Sequence, residues 1–127
     1  MELGKGCSAQ AWVANAYAEC NCRLAQFSDQ AQQDVWGNNP EVLVSSSYAP
    51  SGEAKKTNGG WLVSGRYGFS SGVRNTDWSV VGVLLPIGED NTHVHCFVLI
   101  SSSDRKINDT WHAAGLSGTG SSDIEFN

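Results

Sequence analysis

A chain of 127 residues with 40% apolar residues is long enough for one domain with its own hydrophobic core. Its 13 acidic and 8 basic residues give a net charge of −5, which excludes the basic face that nucleic-acid binding requires. The 4 cysteines are too sparse for a disulfide scaffold, and we expect neither a signal peptide nor a membrane span. These properties predict a globular cytoplasmic protein with free thiols.

The first third of the chain has the apolar spacing of a helix that begins almost at residue 1. Apolar side chains recur every three or four residues at Ala9, Val13, Ala16, Cys20, Leu24 and Phe27. Another face of the same helix carries Asn15, Glu19 and Arg23. Ser28 is the expected N-cap of a second, short helix that ends near Trp36, with Gly37 as its stop.

From residue 41 onward the pattern becomes extended. Strands are expected at 41–46, 61–69, 78–85, 94–100, 107–113 and 121–126. The pair Asn58-Gly59 predicts a hairpin, and residues 88–91 predict a turn. Strands in succession after helices indicate an α+β fold, in which N-terminal helices pack on an antiparallel β-barrel or sandwich.

Two local patterns invite a chemical interpretation, and for each a structural one is favoured. His93 and His95 share one face of a predicted strand, but Cys96 points to the other face and no second ligand pair is present. The glycine-rich segment 115–120 has neither the lysine nor the strand–loop–helix context of a phosphate loop, so it is interpreted as a turn. We therefore predict no metal site.

Several longer stretches, taken together, resemble one family. They are VSSSYAPSG at 44–52, GGWLVSGRYGFSSG at 59–72 and DTWHAAGLSGTGS at 109–121. Their order and spacing resemble the reduced-flavin-dependent aromatic hydroxylases, the oxygenase components of p-hydroxyphenylacetate and steroid-phenol hydroxylases, which have the acyl-CoA dehydrogenase fold. The resemblance covers essentially the whole chain. It implies that residues 1–38 end an N-terminal helical domain, that 39–127 form the flavin-binding middle β domain, and that the C-terminal helical bundle is missing.

The resemblance also implies where a flavin and a substrate bind. The implied flavin contacts are Ser46, Ser47, Tyr48, Phe69, Ser70 and Ser71. Ser71 is the implied catalytic residue, because the matching hydroxyl lies near flavin N5, where a group that both donates and accepts serves either protonation state. Trp12 and Cys20 are the implied substrate-pocket residues, and Cys20 stands where these hydroxylases often have a histidine.

The activity of this family sets the expected function, and two alternatives remain open. The expected protein hydroxylates a small phenolic substrate with O2 and reduced FMN or FAD, which a separate reductase supplies, and it is a homo-oligomer, a tetramer in the full-length family. One alternative is an acyl-CoA dehydrogenase-like FAD oxidoreductase, against which the Ser-Ser-Ser-Tyr stretch at 45–48 argues. The other is a truncated flavin domain without catalytic activity.

Overall fold

A computed structural model describes residues 2–87 and 92–127, and the turn predicted at 88–91 lies outside them. The helices are α1 (Glu2–Gly6), α2 (Ser8–Leu24) and α3 (Asp29–Trp36). The strands are β1 (Val44–Ser47), β2 (Glu53–Thr57), β3 (Gly60–Tyr67), β4 (Trp78–Pro86), β5 (His93–Ser101), β6 (Lys106–Asn108) and β7 (Asp123–Phe126). Helices followed by strands confirm the α+β class.

The N-terminal helical region is interrupted at Cys7, whereas one unbroken helix was predicted. Cys7 has extended backbone angles, φ −153° and ψ 113°, so α1 and α2 are separate. The predicted second helix is confirmed, because the Ser28 hydroxyl accepts a hydrogen bond from the Ala31 N–H and Gly37 follows the last helical residue. Within the described residues, no helix is both long and apolar enough to cross a membrane.

The strands form two sheets, one with the order β1-β4-β5 and one with the order β2-β3-β7-β6. The pairing of β1 with β4 is parallel, which corrects the prediction of a purely antiparallel fold. The chain leaves β1, forms the β2–β3 hairpin in the other sheet, and returns along β4 in the original direction, as a crossover connection allows. In the described part of the chain these are two open sheets and not one closed barrel.

Two hydrophobic cores hold the layers together. The inter-sheet core lies between the sheets and is built on Tyr67, Val73, Val81, Val83, Leu85, Ile124 and Phe126. The helix–sheet core joins α2 and α3 to the three-stranded sheet through Cys20, Leu24, Val35, Val42, Val44 and Val80. Neighbouring residues of β4, Val80 and Val81, point into different cores, so the prediction that this strand is buried on both faces is confirmed.

Four predicted strands end earlier or begin later than expected: β1 begins at Val44 and not at residue 41, and the other three differences shape the region near α2. β3 stops at Tyr67, so Phe69 lies outside the strand that was expected to include it. The strand predicted at 107–113 covers only β6, and the last strand begins at Asp123. The intervening chain turns through left-handed conformations at Leu116 and Gly120, which a strand cannot accommodate.

Candidate functional site

A cleft of about 320 Å3 lies between α2 and the C-terminal ends of β1 and β3. Its lining residues are Trp12, Asn15, Ala16, Glu19, Ser46, Ser47, Tyr48, Ala49, Gly68, Phe69 and Ser71. Six of the eight site residues implied by the resemblance are therefore brought together in one concave surface, of the size that small-molecule sites commonly have. The other two, Cys20 and Ser70, do not line it.

One wall of the cleft is the ring of Phe69, which is held in an unusual conformation. Its backbone lies in the left-handed region at φ 61°, which is rare for a bulky residue, and its side chain is 77% exposed. The Trp111 ring supports it edge-on, with the centroids 5.9 Å apart. A strained, exposed aromatic residue gains little stability from its position, and such strain is concentrated at binding sites.

The ends of β1 and β3 are tied to each other beside Phe69. The Ser47 hydroxyl donates to the Gly68 carbonyl at 2.6 Å, and this bond fixes the β1 end against the segment that carries the ring. His95 Nε2 lies 3.0 Å from the Tyr48 carbonyl oxygen, so this histidine supports the same strand end. Within residues 2–87 and 92–127, no three metal-ligating side chains are grouped as a metal site would need.

Helix α2 holds the segment that carries Ser71 at two points. The Trp12 indole N–H donates to the Ser71 hydroxyl at 3.0 Å, although the Trp12 side chain is itself 53% exposed. The Tyr17 hydroxyl donates to the Gly72 carbonyl at 2.8 Å. Ser71 also bonds to the Ser121 hydroxyl at 2.7 Å. The hydroxyl implied to lie near the flavin is thus fixed by the helix and by the chain that precedes β7.

The opposite wall of the cleft contains a charged cluster that no pattern in the sequence connects with the site. The Tyr48 hydroxyl donates to one oxygen of Glu19, and Arg23 Nη2 lies 2.8 Å from the other. The Arg23 guanidinium also lies over the Tyr48 ring, 4.5 Å from its centroid. Burial, followed by the bond to Glu19, raises the pKa of Tyr48, so its hydroxyl remains a donor across the physiological range. Glu19 gives the cleft a hydrogen-bond acceptor.

Cys20 and Ser70 lie beneath the cleft surface. Cys20 belongs to the helix–sheet core with no exposed surface, and its sulfur lies 3.7 Å from the Tyr48 hydroxyl. Ser70 is equally buried, and its side-chain oxygen has no hydrogen-bond partner in the structure. Its backbone N–H donates to the Ser122 carbonyl. Both residues shape the site from behind, so they support the surface residues that face the cleft.

The burial of Cys20 predicts a graded reactivity of the four free thiols. Burial raises the pKa of the Cys20 thiol, so little thiolate is present at neutral pH, whereas Cys7 and Cys22 are exposed. With a chromogenic disulfide reagent at pH 7.5, we expect Cys7 and Cys22 to react at least about tenfold faster than Cys20. Cys22→Ser removes one fast thiol and serves as the control. Rapid modification of Cys20 in the folded chain would contradict its position.

Comparison with known proteins relates this chain to flavin-dependent enzymes, although no protein-family model matches it. The oxygenase component of FADH2-dependent resorcinol hydroxylase from Rhizobium sp. is 40% identical over 119 residues, 94% of this chain and 29% of that protein. The crystal structure of 3-HSA hydroxylase from Rhodococcus sp. RHA1 superposes with a TM-score of 0.88 at 40% identity, over 95% of this chain and 31% of that one.

The chain is a homologue of the oxygenase components of two-component flavin-dependent hydroxylases. A structure of XiaF from Streptomyces sp., in complex with FADH2 and glycerol, adds a flavin-bound relative with a TM-score of 0.87 and 27% identity, covering 95% of this chain and 31% of that one. The predicted resemblance to these oxygenase components is confirmed. This flavin hydroxylase homologue spans about three-tenths of the length of the relatives it matches.

Proposed function

We propose that this chain forms the flavin-facing part of an oxygenase component that hydroxylates a phenolic substrate with O2 and reduced flavin. The observation that carries the proposal is the cleft itself, in which Phe69 and Ser71 lie side by side on a chain 40% identical to a resorcinol hydroxylase component. Relatives that match over 94% and 97% of this chain are named as a resorcinol hydroxylase component and as the oxygenase subunit of a flavin-dependent monooxygenase. This favours the monooxygenase over the acyl-CoA dehydrogenase-like alternative.

The chemistry of the cleft fits a flavin. An isoalloxazine ring is large, flat and mostly apolar with polar atoms along its edges, and the exposed Phe69 ring offers it a face or edge to pack against. Ser71, with Ser46 and Ser47 on the β1 end, supplies hydroxyls for the ring edge. FMN or FAD, reduced by a separate reductase, would supply the oxygen chemistry when bound, while these residues bind the ring, orient it and exclude water.

The opposite wall suggests how a phenol would be recognised. Glu19 lines the cleft and accepts hydrogen bonds from Arg23 and Tyr48, and a carboxylate has the capacity to accept further ones. A phenolic hydroxyl is a donor that can bond to this carboxylate while its ring lies between Trp12 and Tyr48. We therefore assign substrate recognition to Glu19 and Trp12, and assign Cys20 to the packing behind Tyr48.

Further parts of the proposal follow from the family resemblance. Residues 1–38 would belong to an N-terminal helical domain and 39–127 to the middle β domain of an acyl-CoA dehydrogenase-type fold, whose two sheets would pack as a sandwich. The active protein would be a cytoplasmic homo-oligomer that receives reduced flavin from its reductase. The inter-sheet core, which draws on both sheets, supports the sandwich arrangement.

Flavin titration of the 127-residue chain tests the proposal. We expect Phe69→Ala to weaken flavin binding about three- to tenfold, because an aromatic contact contributes roughly 0.5–1.5 kcal/mol beyond its buried area. The melting temperature should change little, since the ring is 77% exposed. The exposed Leu84 of β4, outside the cleft, gives the control Leu84→Ala. Fluorescence quenching that shows no flavin binding, or equal affinities for the two variants, would contradict the proposed site.

A further inference from the structure

Ser71 is the first hydroxyl in a chain of hydrogen bonds that runs away from the cleft. The Trp12 indole N–H lies 3.0 Å from its oxygen, and the Ser121 hydroxyl lies 2.7 Å away. Ser121 lies 2.7 Å from the Thr119 hydroxyl, which lies 2.9 Å from the Leu116 carbonyl. Ser121 and Thr119 are almost completely buried, so an unpaired hydroxyl at either position would cost about 1–3 kcal/mol.

The two ends of this chain favour one direction for the protons in it. An indole N–H can only donate and a carbonyl oxygen can only accept, while each hydroxyl has one proton. Thr119 therefore donates to Leu116, Ser121 donates to Thr119, and Ser71 donates to Ser121. The reverse direction would have three of these bonds instead of four, because the bond from Thr119 to Leu116 would be lost. The Ser71 proton is thus directed away from the cleft, and the cleft is left with a lone pair of its oxygen.

We propose that Ser121 and Thr119 are positioning residues that keep Ser71 a hydrogen-bond acceptor toward the cleft. A ligand that presents an N–H to Ser71 is then bound better than one that presents a bare nitrogen. This inference rests on the proposed function, in which the ligand is a flavin: its N5 carries a proton when reduced and only a lone pair when oxidised. The hydrogen-bond chain would make the site select reduced flavin.

A pair of substitutions at Thr119 isolates the hydrogen-bond direction from packing. Thr119→Val keeps the shape of the side chain and removes its hydroxyl, so Ser121 can donate to Ser71 and the Ser71 proton can turn toward the ligand. Thr119→Ser keeps the hydroxyl and is the matched control. Ser121→Ala releases the Ser71 proton directly and is a second, independent variant.

The measurement is the affinity of the 127-residue chain for oxidised FMN and FAD, and for the same flavins reduced with dithionite under anaerobic conditions. We expect Thr119→Val and Ser121→Ala to lower the ratio of the oxidised to the reduced dissociation constant about five- to tenfold, the effect of one hydrogen bond. Thr119→Ser should retain the wild-type ratio. A merely structural role would weaken both redox states equally, and such an unchanged ratio would overturn the inference while the proposed function stands. A wild-type chain that binds neither form would overturn both.

Discussion

Replacing Leu24 with alanine is expected to lower the free energy of unfolding by about 2–5 kcal/mol. Leu24 is fully buried at the end of α2, where it packs in the helix–sheet core with Val44 and Val80. Truncation removes its buried apolar surface and leaves a cavity between helix and sheet, which rigid strands on the other side cannot fill. A loss of this size is a large fraction of the total stability of an ordinary domain.

Urea unfolding followed by circular dichroism measures this loss, with Leu62→Ala as the matched control. Leu62 is the same residue type at a position 56% exposed on β3, so its truncation should change stability by less than about 0.5 kcal/mol. Since α2 also carries Trp12, one of 5 tryptophans, the tryptophan emission should shift at a lower urea concentration in Leu24→Ala than in wild type. Similar midpoints for the two variants would mean that α2 is not anchored through Leu24.

Sequence periodicity was sufficient where the deciding interactions are local. The three- and four-residue spacing of α2 correctly placed Cys20 and Leu24 on the buried face, and the cap at Ser28 follows from one side chain and the N–H three residues later. The continuous apolar run at 78–85 indicated a strand buried on both faces, as β4 is. Each of these signals is complete within a few residues of chain.

Periodicity could not identify features that depend on distant parts of the chain. The parallel pairing of Val44 with Trp78 depends on how the chain crosses between the sheets, and no local pattern encodes that route. Phe69 continues the alternation of β3 in sequence, although its backbone has turned into the left-handed region. A pattern of apolar and polar residues records spacing and carries no information about φ.

The candidate site likewise combines residues that the sequence indicates with contacts that depend on distant parts of the chain. The resemblance implied Ser71 and Phe69, which line the cleft, but the bond from Trp12 to Ser71 joins residues 59 positions apart and depends on the packing of α2. Glu19 was grouped with the polar face of its helix, which is normally solvated. It becomes a cleft residue because Tyr48, 29 positions later, bonds to its carboxylate.

The contact between α2 and the Ser71 segment also depends on a glycine with no room for a side chain. Gly72 has φ 70°, and a Cβ added there would lie 2.3 Å from the Tyr17 hydroxyl oxygen and 2.8 Å from Val13 Cγ1. Gly72→Ala is therefore expected to cost about 2–5 kcal/mol of stability, combining the left-handed penalty of roughly 1–2 kcal/mol with overpacking of roughly 1–3 kcal/mol. Relief of the clash requires α2 to move away from Ser71.

Gly120→Ala separates these two contributions, since Gly120 has φ 53° but no atom within 4 Å of an added Cβ. Gly120→Ala should show only the left-handed penalty, so Gly72→Ala should unfold at a clearly lower urea concentration. The displaced helix should also weaken the bond from Trp12 to Ser71, which changes the indole emission of the folded state in Gly72→Ala and not in Gly120→Ala. Equal stability losses and equal emission in the two variants would show that α2 does not pack against Gly72, and the two-point attachment of the Ser71 segment would then be wrong.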